Sequence, residues 1–316
     1  MRALITGITG QDGSYLAEQL AAAGWEVAGL VHGQEEPKWG WVQDLVPGLR
    51  LIPGDLLDMG SLLRALAESR PDVVFNLGAL TFVGTSWAQP LVTAEVTGLG
   101  CLRMLEAVRL HDPQVRFVQA SSSEMFGNAG RFPLGLDSPF SPYSPYACAK
   151  VLAHHATVNY RESYGMHASA AIMFNHESPR RGTEFVTRKV SKAVAAIAAG
   201  RQDHVTLGRL YPCRDWGWAP DYMQGLQMMA GRDEPSDFVL ATGESHSVAE
   251  WCEAAFAVAG LNWRDHVRTD QALMRPAEVE FLQGDASRAR EVLGWKPSVL
   301  FRDIARLMTE HDMAQA

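Results

Sequence analysis

Tyr146 and Lys150, four residues apart, are the side chains of this sequence best suited to moving a proton. On a helix that spacing puts both on one face, where an ammonium beside a phenol favours the ionised phenol. Alone, the pair is usually a packed ring and a solvated charge, so its meaning depends on two other segments. Ala120-Ser121-Ser122-Ser123-Glu124 ends an apolar run with hydroxyls and a carboxylate, groups fit for hydrogen bonding and acid–base work. Taken by itself, this segment reads equally well as a polar loop start with helix-capping serines. Near the N-terminus, Gly7-Ile8-Thr9-Gly10-Gln11-Asp12-Gly13 spaces its glycines as a turn does when a pyrophosphate must reach backbone at a helix start. A glycine-rich turn without a ligand is the commoner source of that pattern. All three segments in this order make the ligand-free reading hard to sustain.

Chemistry of this kind needs a scaffold that brings strand ends together. Short β-branched runs predict strands at residues 3–6, 27–31, 50–52, 73–77, 115–120 and 168–174. Helical periodicity separates them, with Tyr15, Leu16, Leu20 and Ala23 on one face and Gly24 as a C-terminal cap. Further helices are predicted at 61–68, 91–110 and 146–164. Strand–helix alternation requires parallel pairing through crossovers, hence an α/β, Rossmann-type doubly wound parallel sheet. After about residue 175 the pattern loosens, with more Pro and Trp. The expected division is a dinucleotide-binding domain over 1–174 and a smaller, interleaved substrate domain over 175–316, with segments able to return to the sheet. In such folds ligands bind at the carboxyl edge, where the serines, the glutamate and the glycine turn would all lie. The second strand ends Leu30-Val31-His32-Gly33, without the acid that binds a ribose 2′-hydroxyl, so a 2′-phosphate is tolerable. Asp55 and Leu56, after the third strand, are placed to contact an adenine.

The chain has 316 residues, 47% hydrophobic and 20% charged, the composition of a globular protein of one large or two joined domains. A net charge of −8 argues against a duplex nucleic-acid binder, though not against a small anion held by a local basic cluster. Cys101, Cys148, Cys213 and Cys252 lack C-x-x-C spacing and a nearby histidine, so neither a disulfide framework nor a structural metal is expected. No apolar run approaches the roughly 18 residues that span a bilayer. The polar opening MRALITGITGQDG lacks a signal-peptide core, and the expectation is a soluble cytoplasmic protein.

The glycine turn, the Ser-x-Glu strand end and the Tyr-x-x-x-Lys helix resemble the extended short-chain dehydrogenase/reductase superfamily. The resemblance narrows to the GDP-mannose 4,6-dehydratase family through ALITGITGQDGSYLAE, FVQASSSEMFG, SPYACAK, FNHESPRRG, FVTRKV, RDWG, ATGESHSV, RPAEVEFLQGD and LGWKP, which span nearly the whole chain. It implies an internally redox-neutral loss of water from GDP-mannose, giving GDP-4-keto-6-deoxy-mannose with NADP as cofactor, NAD being the alternative. It also implies that Tyr146, its pKa depressed by Lys150 and the nicotinamide, takes the 4-hydroxyl proton. Ser122 would hold the 4-oxygen, and Glu124 would remove the C5 proton and assist loss of the 6-hydroxyl. Cofactor contacts would come from Gly7, Thr9, Gly10, Gln11, Asp12, Gly13, His32, Asp55, Leu56, Leu77, Gly78, Ala79, Tyr146, Lys150 and His176. Nucleotide-sugar contacts would come from Thr81, Asn175, Lys189, Arg214, Arg275 and Glu278, with Ser122 and Glu124. Beyond its cofactor contact, His176 reads as a structural hydrogen-bonder rather than a catalyst, and Trp39, Trp41, Trp216 and Trp218 as packing residues.

Several segments depart from the family pattern. His32-Gly33 stands where two arginines are usual, which weakens the preference for NADP. Gln34 to Leu45 is short; in the family this loop reaches a neighbouring subunit's cofactor, so the expected homo-oligomer is a dimer rather more than a tetramer. Thr81-Phe82-Val83 replaces Ser-His-Val, and Tyr211-Pro212-Cys213 lies beside the expected guanine pocket. The stretch 261–275 is compact. Alternatives are a dehydratase of another GDP-sugar, such as a GDP-heptose, or a GDP-4-keto-6-deoxy-mannose reductase of the same fold. From another class, a non-catalytic nucleotide-sugar binder is disfavoured by the intact Ser122, Glu124, Tyr146 and Lys150.

Overall fold

The computed structural model describes residues 1–33 and 37–316, with the side chains of 37–39 outside that description. Trp39 and the start of the shortened segment, Gln34 to Glu36, therefore lie outside the described residues.

Apolar residues in unbroken runs form the strands β1 (Arg2–Thr6), β2 (Glu26–Val31), β3 (Arg50–Pro53), β4 (Val73–Asn76), β5 (Arg116–Ser122) and β6 (Ala168–Met173). A seventh strand, Phe238–Leu240, comes from beyond residue 175 and pairs with β6. The sheet runs 3-2-1-4-5-6-7 with every pairing parallel. Both faces are covered, which explains why the strands read as continuous rather than alternating runs. Ala3, Ile5 and Phe75 point to the layer of α1 (Gln11–Ala22) and the helix Ala219–Ala230, whereas Leu4 and Val74 point to the helices Met59–Ser69, Gly100–His111 and Pro145–Tyr164. A third apolar cluster joins the helices Val186–Ala198, Val248–Val258 and Phe301–Ala314 around Trp216 and Trp251. Trp216 packs as expected, Trp218 is half-buried, and Trp41 is exposed with the Arg180 guanidinium 5.7 Å from its ring.

The strand order reverses between β1 and β4, which opens the crevice at their carboxyl ends. A buried polar ladder crosses beneath it: Thr6 Oγ1 donates to Asn76 Oδ1 (2.8 Å), and Asn76 Nδ2 donates to Gln119 Oε1 (2.7 Å). Thr6 Oγ1 also accepts from the Gly78 amide (2.9 Å) and so fixes the turn leaving β4.

Two expectations change. The predicted helix 91–110 is interrupted: a short helix Pro90–Thr93 passes through a π-helical turn, Ala94–Leu99, into Gly100–His111. In that turn Thr97 Oγ1 accepts from the Leu80 amide (3.1 Å), and a Cβ on Gly98 would lie 3.2 Å from the Ala149 carbonyl. The extra residue thus serves a close approach to the helix Pro145–Tyr164. The loop after β4 also contains a short helix, Val83–Ala88, that periodicity did not indicate. No helix among the described residues is long and apolar enough to cross a membrane.

Candidate active site

The helix Pro145–Tyr164 begins where Ser144 Oγ accepts from the Ala147 amide (3.1 Å) with Pro145 in its first turn, and it stops at Gly165 in the left-handed region. Its first turns lie against the end of β5. Lys150, only 3% exposed, donates from Nζ to the Ala120 carbonyl at 2.6 Å. One turn further along, His154 Nδ1 and Ser121 Oγ are 3.1 Å apart. Ser122 points the other way from Ser121, and its Oγ accepts from the Glu124 amide (3.2 Å), which turns the chain into a short 3-10 helix, Ser123–Phe126. Gly127 ends this helix at φ 56°, where a Cβ would sit 1.8 Å from the Ser141 carbonyl oxygen.

A cavity of about 330 Å³ brings Ser122, Glu124, Tyr146 and Lys150 together with Asp12, Leu77, Thr81, Asn175, His176, Lys189, Arg214, Arg275 and Glu278. Gly7, Thr9, Gly10, Gln11, Gly13, His32, Asp55, Leu56, Gly78 and Ala79 are not in its wall and follow the ends of β1 to β4. Of these, Leu56 is buried in the core, and Asp55 faces His32 Nε2 at 3.2 Å. The His32 side chain is 77% exposed.

The glycine turn fits a dinucleotide. Gly7 has φ 71°, and a Cβ on it would lie 2.9 Å from the Gly78 amide nitrogen; a Cβ on Gly13 would lie 2.3 Å from the Gly7 carbonyl oxygen. Gly10 caps α1 without a side chain, which leaves the first amides of that helix free of a capping side chain, as an anion site at a helix start requires. Gln11 behaves differently from a ligand contact: its Nε2 donates to the His176 carbonyl (3.1 Å) and its Oε1 accepts from Ser178 (2.7 Å).

Burial is the largest effect on the Tyr146 phenol and pushes it up; the Ser122 hydroxyl opposes this, the Glu124 charge adds to it and Arg181 counters it. The Lys150 proton is directed at the Ala120 carbonyl, and burial brings that ammonium down to about 8. Desolvation outweighs the ion–phenol attraction inferred from spacing alone.

Glu124 is 8% exposed, with Arg214 Nε 3.8 Å from its carboxylate. Arg214 also donates to the carbonyls of Val279 (2.7 Å) and Cys213 (3.0 Å) and pairs with Glu278 at 2.9 Å, which Arg275 approaches at 3.4 Å. Lys189 donates to the Thr206 carbonyl (2.8 Å), and the buried Asn175 Oδ1 has no hydrogen-bond partner among the described residues. A cationic wall with an unsatisfied acceptor is suited to an anionic, hydroxyl-rich ligand.

Sequence reading overlooked Arg181, Glu177, Phe82 and Phe185, which also line the cavity. The Glu177–Arg181 pair, 3.1 Å apart at i,i+4, was available as a charge signal within the FNHESPRRG segment.

The matched family model, GDP-mannose 4,6 dehydratase, covers residues 4–308. The chain belongs to the GDP-mannose 4,6 dehydratase family. It is 45% identical to GDP-mannose 4,6 dehydratase 1 of Arabidopsis thaliana, covering 99% of this chain and 90% of that one. It is 42% identical to GDP-mannose 4,6 dehydratase of Homo sapiens, covering 98% and 91%. Its fold matches the crystal structure of Thermus thermophilus UDP-glucose 4-epimerase with a TM-score of 0.86 and 28% identity, over 100% of both chains. For this member of the dehydratase family, His176 proves to be a structural hub. Its Nδ1 faces the Phe174 carbonyl (2.7 Å) and its Nε2 faces Asp12 Oδ2 (2.9 Å). Both partners are acceptors, so both bonds require the doubly protonated imidazolium.

Burial alone would discharge this pair. The His176 charge nevertheless holds Asp12 down at about 2, and Asp12 in turn raises His176 above its ordinary value of about 6.5. Stability from Asp12 is present above its unfolded pKa near 3.9 and lost as pH falls through 2. Stability from His176 is present below about 6.5 and lost as pH rises through its raised value. Urea midpoints measured from pH 4 to 9 are therefore expected to fall more steeply through the neutral range for the parent than for Asp12→Asn. Parallel curves would contradict the imidazolium assignment.

Proposed function

We propose that Ser122, Glu124, Tyr146 and Lys150 are the catalytic groups that convert GDP-mannose to GDP-4-keto-6-deoxy-mannose in this cavity. The activity class is nucleotide-sugar 4,6-dehydration, the substrate is a GDP-sugar, and a nicotinamide cofactor is needed. The Thermus epimerase, solved in complex with NAD, supports that cofactor class. A bound nicotinamide would supply the redox chemistry, hydride uptake from C4 of the sugar and its return at C6.

Tyr146 takes the proton from the 4-hydroxyl while Ser122 donates a hydrogen bond to the 4-oxygen. Lys150 holds the phenol's helix against β5. The resulting 4-keto group acidifies the C5 proton, which Glu124 removes and passes to the departing 6-hydroxyl, releasing water; as C6 receives hydride, C5 takes up a proton in its place, and the one accepted by Tyr146 closes the balance. Asn175, Lys189, Arg214 and Arg275 hold the nucleotide-sugar, with Glu278 orienting both arginines. The α1 amides and the glycine turn would hold the cofactor pyrophosphate, with Asp12, Leu77, Gly78 and Ala79 as further cofactor contacts. What carries the reading is Glu124, a carboxylate in the same cavity wall as the Ser–Tyr–Lys set. A 4-keto reductase needs no such base, and no observation favours it or another GDP-sugar.

On this reading residues 1–174 bind the cofactor and 175–316 mainly the nucleotide-sugar, supported by the separate cluster around Trp251. A homo-oligomer belongs to the same reading, supported by exposed Leu91, Val92 and Leu152 on the helices Pro90–Thr93 and Pro145–Tyr164.

Incubated with GDP-mannose, the loaded enzyme is expected to yield a product lighter by about 18 mass units, without net absorbance change near ~340 nm. Tyr146→Phe is expected to fold and lose activity on the order of 100-fold. Net consumption of reduced cofactor, or near-normal turnover by the Phe variant, would overturn the assignment. NADP is the proposed cofactor form, because β2 ends in Val31-His32-Gly33 without an acid; with an exposed His32 there in place of an arginine the preference should be modest. Calorimetric titration with both nucleotides checks this, and tighter binding of NAD would reverse it.

A further inference from the structure

Phe82 precedes the helix Val83–Ala88 in the loop after β4, and Phe185 precedes the helix Val186–Ala198 that carries Lys189. One belongs to the first half of the chain and the other to the second. Their rings meet edge to face, centroids 5.5 Å apart at 81°. The Arg181 guanidinium covers Phe185 at 3.6 Å from its centroid. A Cβ on Gly84 would lie 2.8 Å from the Phe82 ring, so that ring is folded back on the start of its own helix. Both rings are half-buried and line the same cavity as Ser122, Glu124 and Tyr146, whereas their neighbours Thr81 and Glu184 are exposed. The pair thus forms a stretch of the cavity wall made of two side chains from separate halves of the chain.

We propose that the Phe82–Phe185 contact is the retention element of this site, keeping the 4-keto intermediate in place until water has been lost. The proposal rests on the dehydratase reading above. That reaction passes through a state in which the sugar has given up two hydrogens and the cofactor is still reduced. If the sugar leaves then, it leaves as GDP-4-keto-mannose and the enzyme is stranded with reduced cofactor. An apolar edge-to-face contact across the cavity rim opposes both sugar escape and water entry, and it adds no group that competes for protons.

The test compares the parent, Phe82→Ala and Phe82→Leu, each loaded with cofactor and given GDP-mannose. Mass spectrometry separates the product lighter by about 18 units from one lighter by about 2, and absorbance follows reduced nicotinamide. The Ala variant is expected to raise the fraction of turnovers ending in the lighter-by-two product on the order of tenfold, with Leu intermediate. Iodide quenching of bound reduced-cofactor fluorescence, which needs no turnover, should rise in the same order. Unchanged partition and quenching in the Ala variant overturn the proposal, as does slower turnover without leakage. If Ala fails to fold, the same two readouts in Leu decide. A parent that does not dehydrate GDP-mannose refutes the functional reading instead, and the quenching series still reports whether the wall shields the cofactor.

Discussion

A buried hydrogen bond, from Lys150 Nζ to the Ala120 carbonyl at 2.6 Å, joins the two elements that carry the chemistry. On one side lies the end of β5, which supplies Ser122 and Glu124; on the other is the helix that supplies Tyr146. An ammonium donor makes this a strong bond, and an unpaired carbonyl there would be costly to bury. The same bond explains why Lys150 sits so deep: its charge serves as a structural clamp between strand and helix. Ser121 and His154 repeat the joint one turn away, so strand and helix are pinned at two points.

A second seam joins the glycine turn to the segment after β6. Asp12 meets His176, Gln11 meets Ser178, and Arg180 pairs with Glu18 while stacking 3.9 Å over the Tyr15 ring. The residues after β6 therefore hold α1 in place from behind the crevice. The glycine turn and one wall of the cavity are positioned by one continuous stretch, Phe174 to Arg181, which explains why that stretch is dense in polar and charged residues although much of it is buried.

The parallel sheet was legible because strand runs and helical faces alternate with unambiguous period up to residue 174. The Tyr146–Lys150 pair, the β5 end and the glycine turn were legible because each lies within a few residues of an element boundary. What local pattern could not supply is partnership across the chain. Nothing near Phe238 marks it as a sheet strand until β6 is beside it. Phe82 and Phe185, 103 positions apart by their numbering, carry no periodic signal and become a wall only in three dimensions. The surroundings of Tyr146 were hidden for a related reason: spacing reports which charges are near, while burial, the largest effect on this phenol, depends on everything packed around the ring.

The central claim is that Glu124 is the base that turns an oxidoreductase site into a dehydratase. Glu124→Gln keeps the side chain's length and hydrogen-bonding reach but removes its basicity. The decisive measurement is a single turnover of this variant with GDP-mannose in deuterated water, following reduced nicotinamide, product mass and deuterium at C5. The account predicts oxidation at C4 with reduced cofactor accumulating, no loss of water and little or no exchange at C5. Normal formation of the 4-keto-6-deoxy sugar would contradict it and return Glu124 to the role of a structural carboxylate at a strand end.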